Sequence, residues 1–528
     1  MIKILQFNAN GLKNKFNELS NWLNNEDIKI AAIQETKFNT KSKIPTIPNY
    51  TLIFENRANN GGGVAFLIHK SLNFQRLPEI KDPHIEHIGI KVDNLTIINL
   101  YIPPTTSCST PNYSASLARY LQNEDTLIVG DFNAHDPLWH STLTDPRGND
   151  FADEIGDLDF GVLNENVPTR IPTNQDQQPT SPDVSLASLS LLPYSSWETH
   201  TTFSSDHLPI VITLDTEIKI QNSEKRTFTN FKKADWEKFK EITETEFESM
   251  PLPVDVYKGE KIFRKIINKA AKICIPSGRI KEIIPEIPTS TARKIKERDL
   301  LRSTQPNSPH ITQLNNEIFS EINTHKREKW KETIANINRK TDSSKLFKLI
   351  KNLNGSNTKS NCNQSIKFKG KYISYPTKIA NAFNKQYTSI VEHKSSRESR
   401  CITNRIKSIK IEEAIIFTID QTKSAIKMSK SSKALGPDNI SPLHLKHIGP
   451  AAINYLTTIF NLSIKHSQIP SIWKSSVIIP LLKPNKPAEE AGSYRPVSLL
   501  CPAIKILERR PSYQHYMINM GSENKTQL

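Results

Sequence analysis

Cysteine is scarce in this sequence of 528 residues. The chain contains five cysteines, which are far apart, and no two of them form a Cys-x-x-Cys pair. A zinc ribbon or a disulfide framework needs closely spaced pairs of this kind. The sequence therefore argues against both and is typical of a protein from a reducing compartment.

Long apolar runs are missing as well. No stretch of about 18 apolar residues occurs, and the N-terminus MIKILQFNANGLKNK has no apolar core like that of a secretory signal. We therefore expect a soluble, intracellular protein with no membrane partner. Hydrophobic residues make up only 36% of the chain, but several short, strongly apolar runs remain, so a buried core is expected.

Charge is distributed unevenly along the chain, whose net charge is +16. Residues 1–217 hold 15 Lys and Arg against 26 Asp and Glu, whereas residues 218–528 hold 55 against 28. A strongly basic half indicates a polyanionic partner, most simply nucleic acid. A solvated, lysine-rich surface is the alternative explanation for scattered lysines.

The first 216 residues alternate short apolar runs with Asn, Gly, Pro and Asp, a pattern that predicts strands joined by turns. Residues 13–24 have helical spacing, with Phe16, Leu19 and Leu23 on one stripe. Many strands with a few helices predict an α/β fold of two packed sheets covered by helices. The predicted strands are 3–7, 28–34, 51–54, 63–68, 86–92, 96–101, 126–129, 183–187 and 208–214.

The remaining chain divides into three further parts by composition. Residues 217–425 are rich in Lys, Ile, Asn and Ser and show no strand-rich pattern, which predicts a basic helical linker with helices at 290–302 and 326–353. A distinct segment spans 426–510. Residues 511–528 have little pattern and are expected to form an unstructured tail.

Six short pieces of the first 216 residues place polar side chains at strand ends. Asn and Asp cap strands and turns routinely, so each piece taken singly is most simply a turn. Six such pieces in one domain favour a site instead. They are QFNANG, QET, NLY, GDFN and SSDH at the ends of strands, and SPDV at the start of one.

The residue types match the needs of phosphodiester hydrolysis. Glu35 and Asn8 offer hard oxygen ligands for Mg²⁺, which neutralises charge on a phosphate. Asp131 can orient or deprotonate an attacking water. Asn133, two residues further on, would point to the same side of an extended chain and donate to a phosphate oxygen.

An imidazole and a phenol complete the set. His207 follows Asp206, which would fix the ring and favour its cation, a suitable hydrogen-bond donor to a pentacovalent phosphorane. Tyr101 offers a phenol donor. His135, just beyond GDFN, is expected to be structural or to face DNA rather than to act in catalysis.

The ordered motifs QFNANGL, QET, GGGVAFLI, NLYIPP, VGDFNAH, SPDVSLAS and SSDHLPIVITL resemble those of the endonuclease/exonuclease/phosphatase superfamily. They are more similar still to the apurinic-type endonuclease domain of jockey-type non-LTR retrotransposons. The resemblance covers residues 1–216 and implies a four-layer α/β sandwich. It further implies a nucleus-located enzyme that nicks target DNA with Mg²⁺, or with Mn²⁺ as a substitute. The nick leaves a 3′-hydroxyl that primes reverse transcription of element RNA.

Residue by residue, the resemblance assigns metal binding to Asn8 and Glu35. Asp131 resembles the water-activating acid and Asn133 its transition-state partner. The remaining catalytic positions are the phosphate-side Tyr101, the supporting acid Asp183, and the terminal pair Asp206 and His207.

The strings SSKALGPDNIS and IPSIWKSSVIIPLLKPNKPAEEAGSYRPVSLL resemble the fingers region at the start of a non-LTR reverse transcriptase. By this resemblance Lys483 and Arg495 grip nucleotide phosphate or template, although an ordinary surface charge is the alternative for each. A polymerase of this type needs an Asp-Asp pair for its metals, and no Asp-Asp dipeptide occurs in the sequence. We therefore expect a truncated element product that does not polymerise by itself.

Two other functions stay open at this point. The chain could be a non-catalytic nucleic-acid-binding relic whose basic residues contact phosphates. It could also be a phosphoesterase of the same superfamily that acts on a small or lipid substrate instead of DNA.

Overall fold

The computed structural model describes most of the chain and divides it into two compact units. The first unit contains Met1–Ser223 and Glu282–Pro376, and the second contains Glu224–Lys281 and Thr377–Leu528. The predicted division at 216, 425 and 510 stays a prediction. The described residues are 1–39, 47–56, 61–78, 84–104, 125–157, 160–172, 176–216, 227–279, 286–337, five positions between 343 and 350, 365–391, 416–484 and 486–508.

The secondary structure of the described residues is numbered in chain order. The strands are β1 (Ile2–Asn8), β2 (Ile30–Gln34), β3 (Tyr50–Glu55), β4 (Val64–His69), β5 (Gln75–Arg76), β6 (Glu86–Val92), β7 (Leu95–Tyr101), β8 (Thr126–Asp131), β9 (Phe160–Val162), β10 (Asp183–Ser188), β11 (Ser195–Thr199), β12 (Ile210–Leu214), β13 (Thr227–Thr229), β14 (Ser277–Arg279), β15 (Ile366–Phe368), β16 (Lys371–Ile373), β17 (Ser476–Leu482) and β18 (Tyr494–Leu500). The helices are α1 (Leu12–Asn25), α2 (Pro146–Asp157), α3 (Trp236–Glu248), α4 (Val256–Cys274), α5 (Thr289–Thr304), α6 (Pro309–Ala335), α7 (Pro376–Val391), α8 (Ile419–Met428), α9 (Pro442–Lys446), α10 (Pro450–Lys465), α11 (Ser471–Lys474) and α12 (Pro502–Leu507).

The first unit contains two six-stranded sheets. Their strand orders are β11-β12-β1-β2-β4-β3 and β5-β6-β7-β8-β10-β9. Each sheet has one parallel pair, β1 with β2 and β7 with β8, among antiparallel neighbours. A parallel pair brings the carboxyl ends of both strands to the same edge of the sheet.

Three buried cores stack the first unit into four layers. One core lies between the sheets and contains Ile4 and Phe66 from one sheet with Ile97 and Val129 from the other. A second core packs α1 on the outer face of the first sheet. The third packs α2 on the outer face of the second sheet. The predicted four-layer α/β sandwich is confirmed.

Helix α1 shows why these layers form. Its predicted stripe of Phe16, Leu19 and Leu23 is buried against the sheet, together with Leu5 and Phe7 of β1. Full burial of each such side chain contributes about 1.5–3 kcal/mol of transfer free energy. Strand β2, IAAIQ, is buried at every position because it is covered on both faces.

The segment predicted as a helical linker is more structured than expected. The predicted helix 290–302 corresponds to α5, which lies in the first unit. The predicted helix 326–353 overlaps α6, which ends at Ala335, and residues 338–342 lie outside the described part of the chain. Short antiparallel pairs also occur here, β13 with β14 and β15 with β16, where no strands were predicted. Three-residue strands carry too little alternation to be recognised.

The second unit is mainly helical, as predicted for the C-terminal region. Its core packs α3, α4 and α10 through Phe239, Phe247, Phe263 and Phe460. Helix α3 starts where Asp235 accepts a hydrogen bond from the amide of Lys238. Strands β17 and β18 form an antiparallel pair. The predicted tail 511–528 lies outside the described residues.

Among the helices that the model describes, none combines the length and the apolar composition needed to cross a membrane.

Candidate active site

Strand register brings the predicted site residues into two neighbouring rows. Across the second sheet, Tyr101 pairs with Asp131, and Asp131 pairs with Asp183. In the first sheet, Asn8 pairs with Gln34, so Glu35 follows directly beside Asn8. The motif residues therefore meet because their strands are adjacent, although they are far apart in sequence.

Asn8 joins the two sheets at this edge. Its Nδ2 donates to Asp131 Oδ2 at 2.7 Å and to Glu35 Oε1 at 3.2 Å. Its own Oδ1 accepts from the backbone amide of Asn10 at 2.9 Å. The Asn8 side chain is fully buried, so these contacts fix its position.

Glu35 is held from two further directions. Tyr101 Oη donates to Glu35 Oε1 at 3.2 Å, and Lys37 Nζ lies 2.9 Å from Glu35 Oε2. Partial burial alone would raise the pKa of Glu35, but hydrogen bonds from Lys37 and Asn8 lower it. Burial raises the pKa of Tyr101 above its ordinary range, so the phenol keeps its proton and acts as a donor.

Asp183 orients the ring of His207. Asp183 Oδ2 lies 2.8 Å from His207 Nδ1, and Nε2 of the same ring lies 4.0 Å from Asp131 Oδ2. The adjacent Asp206, expected to fix the ring, does not contact it in this way.

Asp206 instead belongs to the outer part of the site. It accepts from Arg170 Nε at 2.9 Å and from Asn10 Nδ2 at 3.1 Å. Burial would raise the pKa of Asp206, but the His207 cation and the bonds from Arg170 and Asn10 lower it to about 2. Asp206 thus remains ionised and holds Asn10 and Arg170 near His207.

Asn133 reaches Asp131 by a turn and not by the expected extended chain. Its φ is +46°, in the left-handed region. The Asn133 amide donates to Asp131 Oδ1 at 3.0 Å, and Asn133 Nδ2 lies 2.9 Å from the carbonyl of Ile102 and 3.4 Å from Asp131 Oδ2. This arrangement is a local Asx turn. It places the Asn133 carboxamide beside the Asp131 carboxylate, as the extended chain was expected to do.

The pKa values of Asp131 and His207 are both raised in the buried site. Burial raises the pKa of Asp131 to about 7; the His207 cation opposes this rise, and Asp183 adds to it. Burial alone would lower the pKa of His207, but the Asp183 carboxylate raises it to about 9. At neutral pH the imidazole is therefore cationic, and Asp131 can both accept and release a proton.

Side chains that could hold a metal ion occur in two overlapping groups. Asp131, Asp183 and His207 are buried, and one ligand atom of each lies within 4.8 Å of the others, so this cluster can hold a cation. Glu35 and Asp131 form the second group, in which Glu35 keeps 18% of its side chain exposed. Asn8 lies between them, with its Nδ2 directed at both carboxylates and its Oδ1 accepting from the Asn10 amide. The ammonium of Lys37 beside Glu35 shows that this carboxylate accommodates positive charge.

The two predicted nucleic-acid contacts of the C-terminal segment belong to the second unit. Lys483 and Arg495 lie in the second unit, at β17 and β18, where Lys483 Nζ donates to the carbonyl of Gly492 at 2.9 Å. In the first unit, the Nδ1 atom of His135, a residue expected to be structural or to face DNA, lies 3.1 Å from Ser141 Oγ.

Sequence reasoning missed several residues around the cluster. Lys37 stands two residues after the QET motif and could have been suspected as the partner of Glu35. Arg170 gave no sequence signal, since it meets His207 only through an isolated bridge between distant segments. Arg302, described below, also lies in none of the motifs.

The fold and the site together define a class: a four-layer α/β sandwich with carboxylates and an imidazole gathered at the edge of two sheets. Residues 95–211 match a family model described as endonuclease-reverse transcriptase. The chain's homologues are RNA-directed DNA polymerases of non-LTR transposons, jockey among them, so the resemblance stated from the sequence is confirmed.

Two relatives from Drosophila melanogaster illustrate the similarity. The probable RNA-directed DNA polymerase from transposon BS is 26% identical over 553 residues, which cover 96% of this chain and 58% of that protein. The RNA-directed DNA polymerase from mobile element jockey is 24% identical over 536 residues, with 96% and 57% covered. The chain thus spans somewhat more than half the length of the curated relatives it matches.

Two solved structures are also similar. The endonuclease domain of TRAS1, a telomere-specific non-LTR retrotransposon, is 21% identical with a TM-score of 0.36 and is fully covered by 41% of this chain. An AP endonuclease from Archaeoglobus fulgidus is 19% identical with a TM-score of 0.34 and the same coverage.

Proposed function

We propose that the first unit is a metal-dependent endonuclease that nicks DNA. The observation that carries this proposal is the connected set Asn8, Glu35, Asp131, Asp183 and His207 at one edge of the two sheets. Hydrolysis of a phosphodiester needs a cation, a base for water and a cationic donor to phosphate, and this set supplies groups for all three.

Glu35 would hold the metal, with Asp131 beside it. Asn8 would join them as a ligand with its carboxamide turned so that Oδ1, which here accepts from the Asn10 amide, faces the ion. Carboxylate and amide oxygens suit Mg²⁺, and Mn²⁺ accepts the same ligands. The protonated His207 has no free nitrogen for a metal, which favours the Glu35 group over the Asp131, Asp183 and His207 cluster. A bound ion would neutralise charge that develops on the phosphate.

The remaining residues of the set act on water and phosphate. Asp131, with its pKa near neutrality, orients a water molecule and takes its proton. His207, held by Asp183, donates to a phosphate oxygen. Asn133 and Tyr101 add an amide and a phenol donor on either side of Asp131.

The names of the relatives support a role for the chain in the transposition of an element of this kind. A DNA nick with a free 3′-hydroxyl would prime reverse transcription of element RNA on chromosomal DNA, which requires entry into the nucleus. Lys483 and Arg495 would contact nucleic acid from the second unit. Because the sequence contains no Asp-Asp dipeptide, we expect no primer extension by this chain itself.

Conversion of supercoiled plasmid to open circle by the purified full-length chain tests the proposal. We expect nicking with Mg²⁺ or Mn²⁺ and none with EDTA. Glu35→Gln, Asp131→Ala and His207→Ala should each lower the single-turnover rate by about 100-fold or more, because each removes a metal ligand, base or donor.

Glu198→Gln is the matched control for Glu35→Gln, since Glu198 lies on β11 with 62% of its side chain exposed. It should nick like the parent chain. Retained nicking in all three site variants would refute the residue assignment. DNA binding in EDTA without nicking in Mg²⁺ would favour the non-catalytic relic. Turnover of inositol phosphates without DNA nicking would favour a phosphoesterase of another substrate class.

A further inference from the structure

Helix α5 lies in the same unit as the candidate active site, although it begins about seventy residues after the predicted nuclease domain ends. Arg298 and Arg302 are four residues apart and therefore share one face of this helix. Their exposed fractions are 0% and 6%, so both guanidinium groups are buried. Buried arginines are costly unless their donors are satisfied, so their partners indicate what the helix does.

Arg302 binds a turn and not an acidic side chain. Its Nη1 donates to the carbonyls of Thr202, at 3.1 Å, and Phe203, and its Nη2 donates to the carbonyl of Ser205 at 2.7 Å. Burial lowers the pKa of Arg302 to about 10, which still leaves the group charged at neutral pH. One fixed cation thus collects three carbonyls of a four-residue segment, 202–205.

This segment adopts a conformation that needs support. Phe203 has a φ of +67°, in the left-handed region that bulky residues rarely adopt and that costs on the order of 1–3 kcal/mol. Its ring is fully buried, 5.0 Å from the ring of Phe7 and 5.5 Å from that of Trp22. Packing holds the side chain, and Arg302 holds the carbonyls on either side of it.

The same segment leads directly into the catalytic set. Ser205 Oγ donates to the carbonyl of Asn8 at 2.8 Å and accepts from the amide of His207 at 3.3 Å. The backbone position of His207 therefore depends on where the 202–205 turn lies. A shift of this turn would move the imidazole away from Asp183 and Asp131.

Arg298 fixes the helix itself. It donates to both carboxylate oxygens of Glu18 on α1, at 2.5 and 3.3 Å, and to Thr202 Oγ1 at 3.3 Å. A bidentate pair of this kind sets orientation as well as distance. Helix α5 is thereby held against α1 and the turn at once.

We propose that Arg302 is a positioning residue for the nuclease site, acting on His207 through the 202–205 turn. This inference rests on the proposed function. It means that the basic segment after residue 217 supplies a residue that positions the active site of the first unit, as well as supplying positive charge.

Multiple-turnover nicking by the full-length chain, measured over a range of plasmid concentrations, separates a positioning role from a role in stability. Arg302→Gln removes the cation that gathers the carbonyls, and we expect its kcat to fall roughly 10- to 100-fold while KM for plasmid DNA stays within about threefold, since a misplacement of about 1 Å has effects of this size. Arg302→Lys keeps the charge and should restore part of the rate. Arg293→Gln, an exposed position on the same helix, should behave like the parent chain.

Circular dichroism and the fraction of active enzyme, measured by burst amplitude, accompany each rate. A loss that follows the folded fraction, with kcat per active site unchanged, would overturn the inference. So would a rise in KM alone, because Arg302 would then contact DNA.

If the parent chain nicks and Arg302→Gln nicks equally well, the inference fails and the proposed function stands. If the parent chain itself shows no metal-dependent nicking, the proposed function fails, and the inference fails with it.

Discussion

Asp183 and Asp206 both lie near the imidazole of His207, but they do different things. Asp183 Oδ2 lies 2.8 Å from His207 Nδ1, whereas Asp206 is engaged by Arg170 and Asn10. Asp183 is also almost fully buried, so its charge is little screened. The acid next to the histidine in sequence is therefore not the one that orients it.

Asp183→Asn and Asp206→Asn test this difference. Asp183→Asn keeps the side-chain shape but removes the charge that favours the imidazolium, and we expect the nicking rate to fall by about 100-fold or more. Asp206→Asn should cost about tenfold or less, because it loosens only Asn10 and Arg170. The measurement is single-turnover nicking by both full-length variants. The control is Asp125→Asn, because Asp125 immediately precedes β8, at the opposite end of the strand from Asp131. An Asp206→Asn loss equal to or larger than that of Asp183→Asn would contradict the assignment.

The capping box at the start of α9 contains a buried histidine. Ser441 is the N-cap, and His444 Nδ1 accepts from the amide of Ser441 at 3.0 Å. The His444 ring is 3% exposed and lies 5.4 Å from the ring of Phe231 and 5.8 Å from that of Phe239. Burial, with a smaller effect of His447, lowers the pKa of His444 to about 4.

This shift makes the second unit acid-sensitive. A histidine in the unfolded chain has a pKa of about 6.5, so the unfolded state takes up a proton first as pH falls. The neutral, buried His444 therefore stabilises the folded state above pH 6.5. This contribution to the free energy of unfolding, about 3 kcal/mol in total, is lost as the pH falls from about 6.5 to 4. In the His444→Gln variant, the glutamine can still complete the capping box, but it does not titrate.

Urea unfolding of the full-length parent and His444→Gln chains between pH 7 and pH 4 measures this effect. We expect the variant to lose less unfolding free energy than the parent over that range. Parallel curves for the two chains would show that His444 does not control the acid response.

The elements also show what the sequence could predict and what it could not. The predicted strands 126–129 and 183–187 correspond to β8, which ends at Asp131, and β10, which starts at Asp183; short apolar runs bounded by turn residues were sufficient to locate them. Helix α5 was predicted as a helix, but its docking was not, because Arg298 and Arg302 lie among many other basic residues in that part of the sequence. Their partners, Glu18 and the 202–205 turn, are recognisable only once the chain has folded.

For the whole molecule, the excess of basic residues after residue 217 predicts strong electrostatic binding of nucleic acid. Residues 218–528 hold 55 Lys and Arg against 28 Asp and Glu. Each phosphate that the protein neutralises releases counterions, so affinity falls steeply with salt.

The Glu35→Gln chain in EDTA allows this binding to be measured without nicking. For a short DNA duplex between 50 and 300 mM KCl, we expect the plot of log affinity against log salt to have a slope steeper than about −4. A slope shallower than about −1 would mean that the basic residues do not contact phosphates and that the charge is only a solvated surface.

The first unit is assembled from two stretches of chain separated by part of the second unit, and this affects how the protein is made. Ser205 and its partner Arg302 are 97 residues apart. Residues 202–205 therefore leave the ribosome well before the arginine that binds their carbonyls. At about 5–20 residues per second, the interval is roughly 5–20 s. During synthesis, the candidate active site therefore lacks the contacts from Arg302 until α5 emerges from the ribosome.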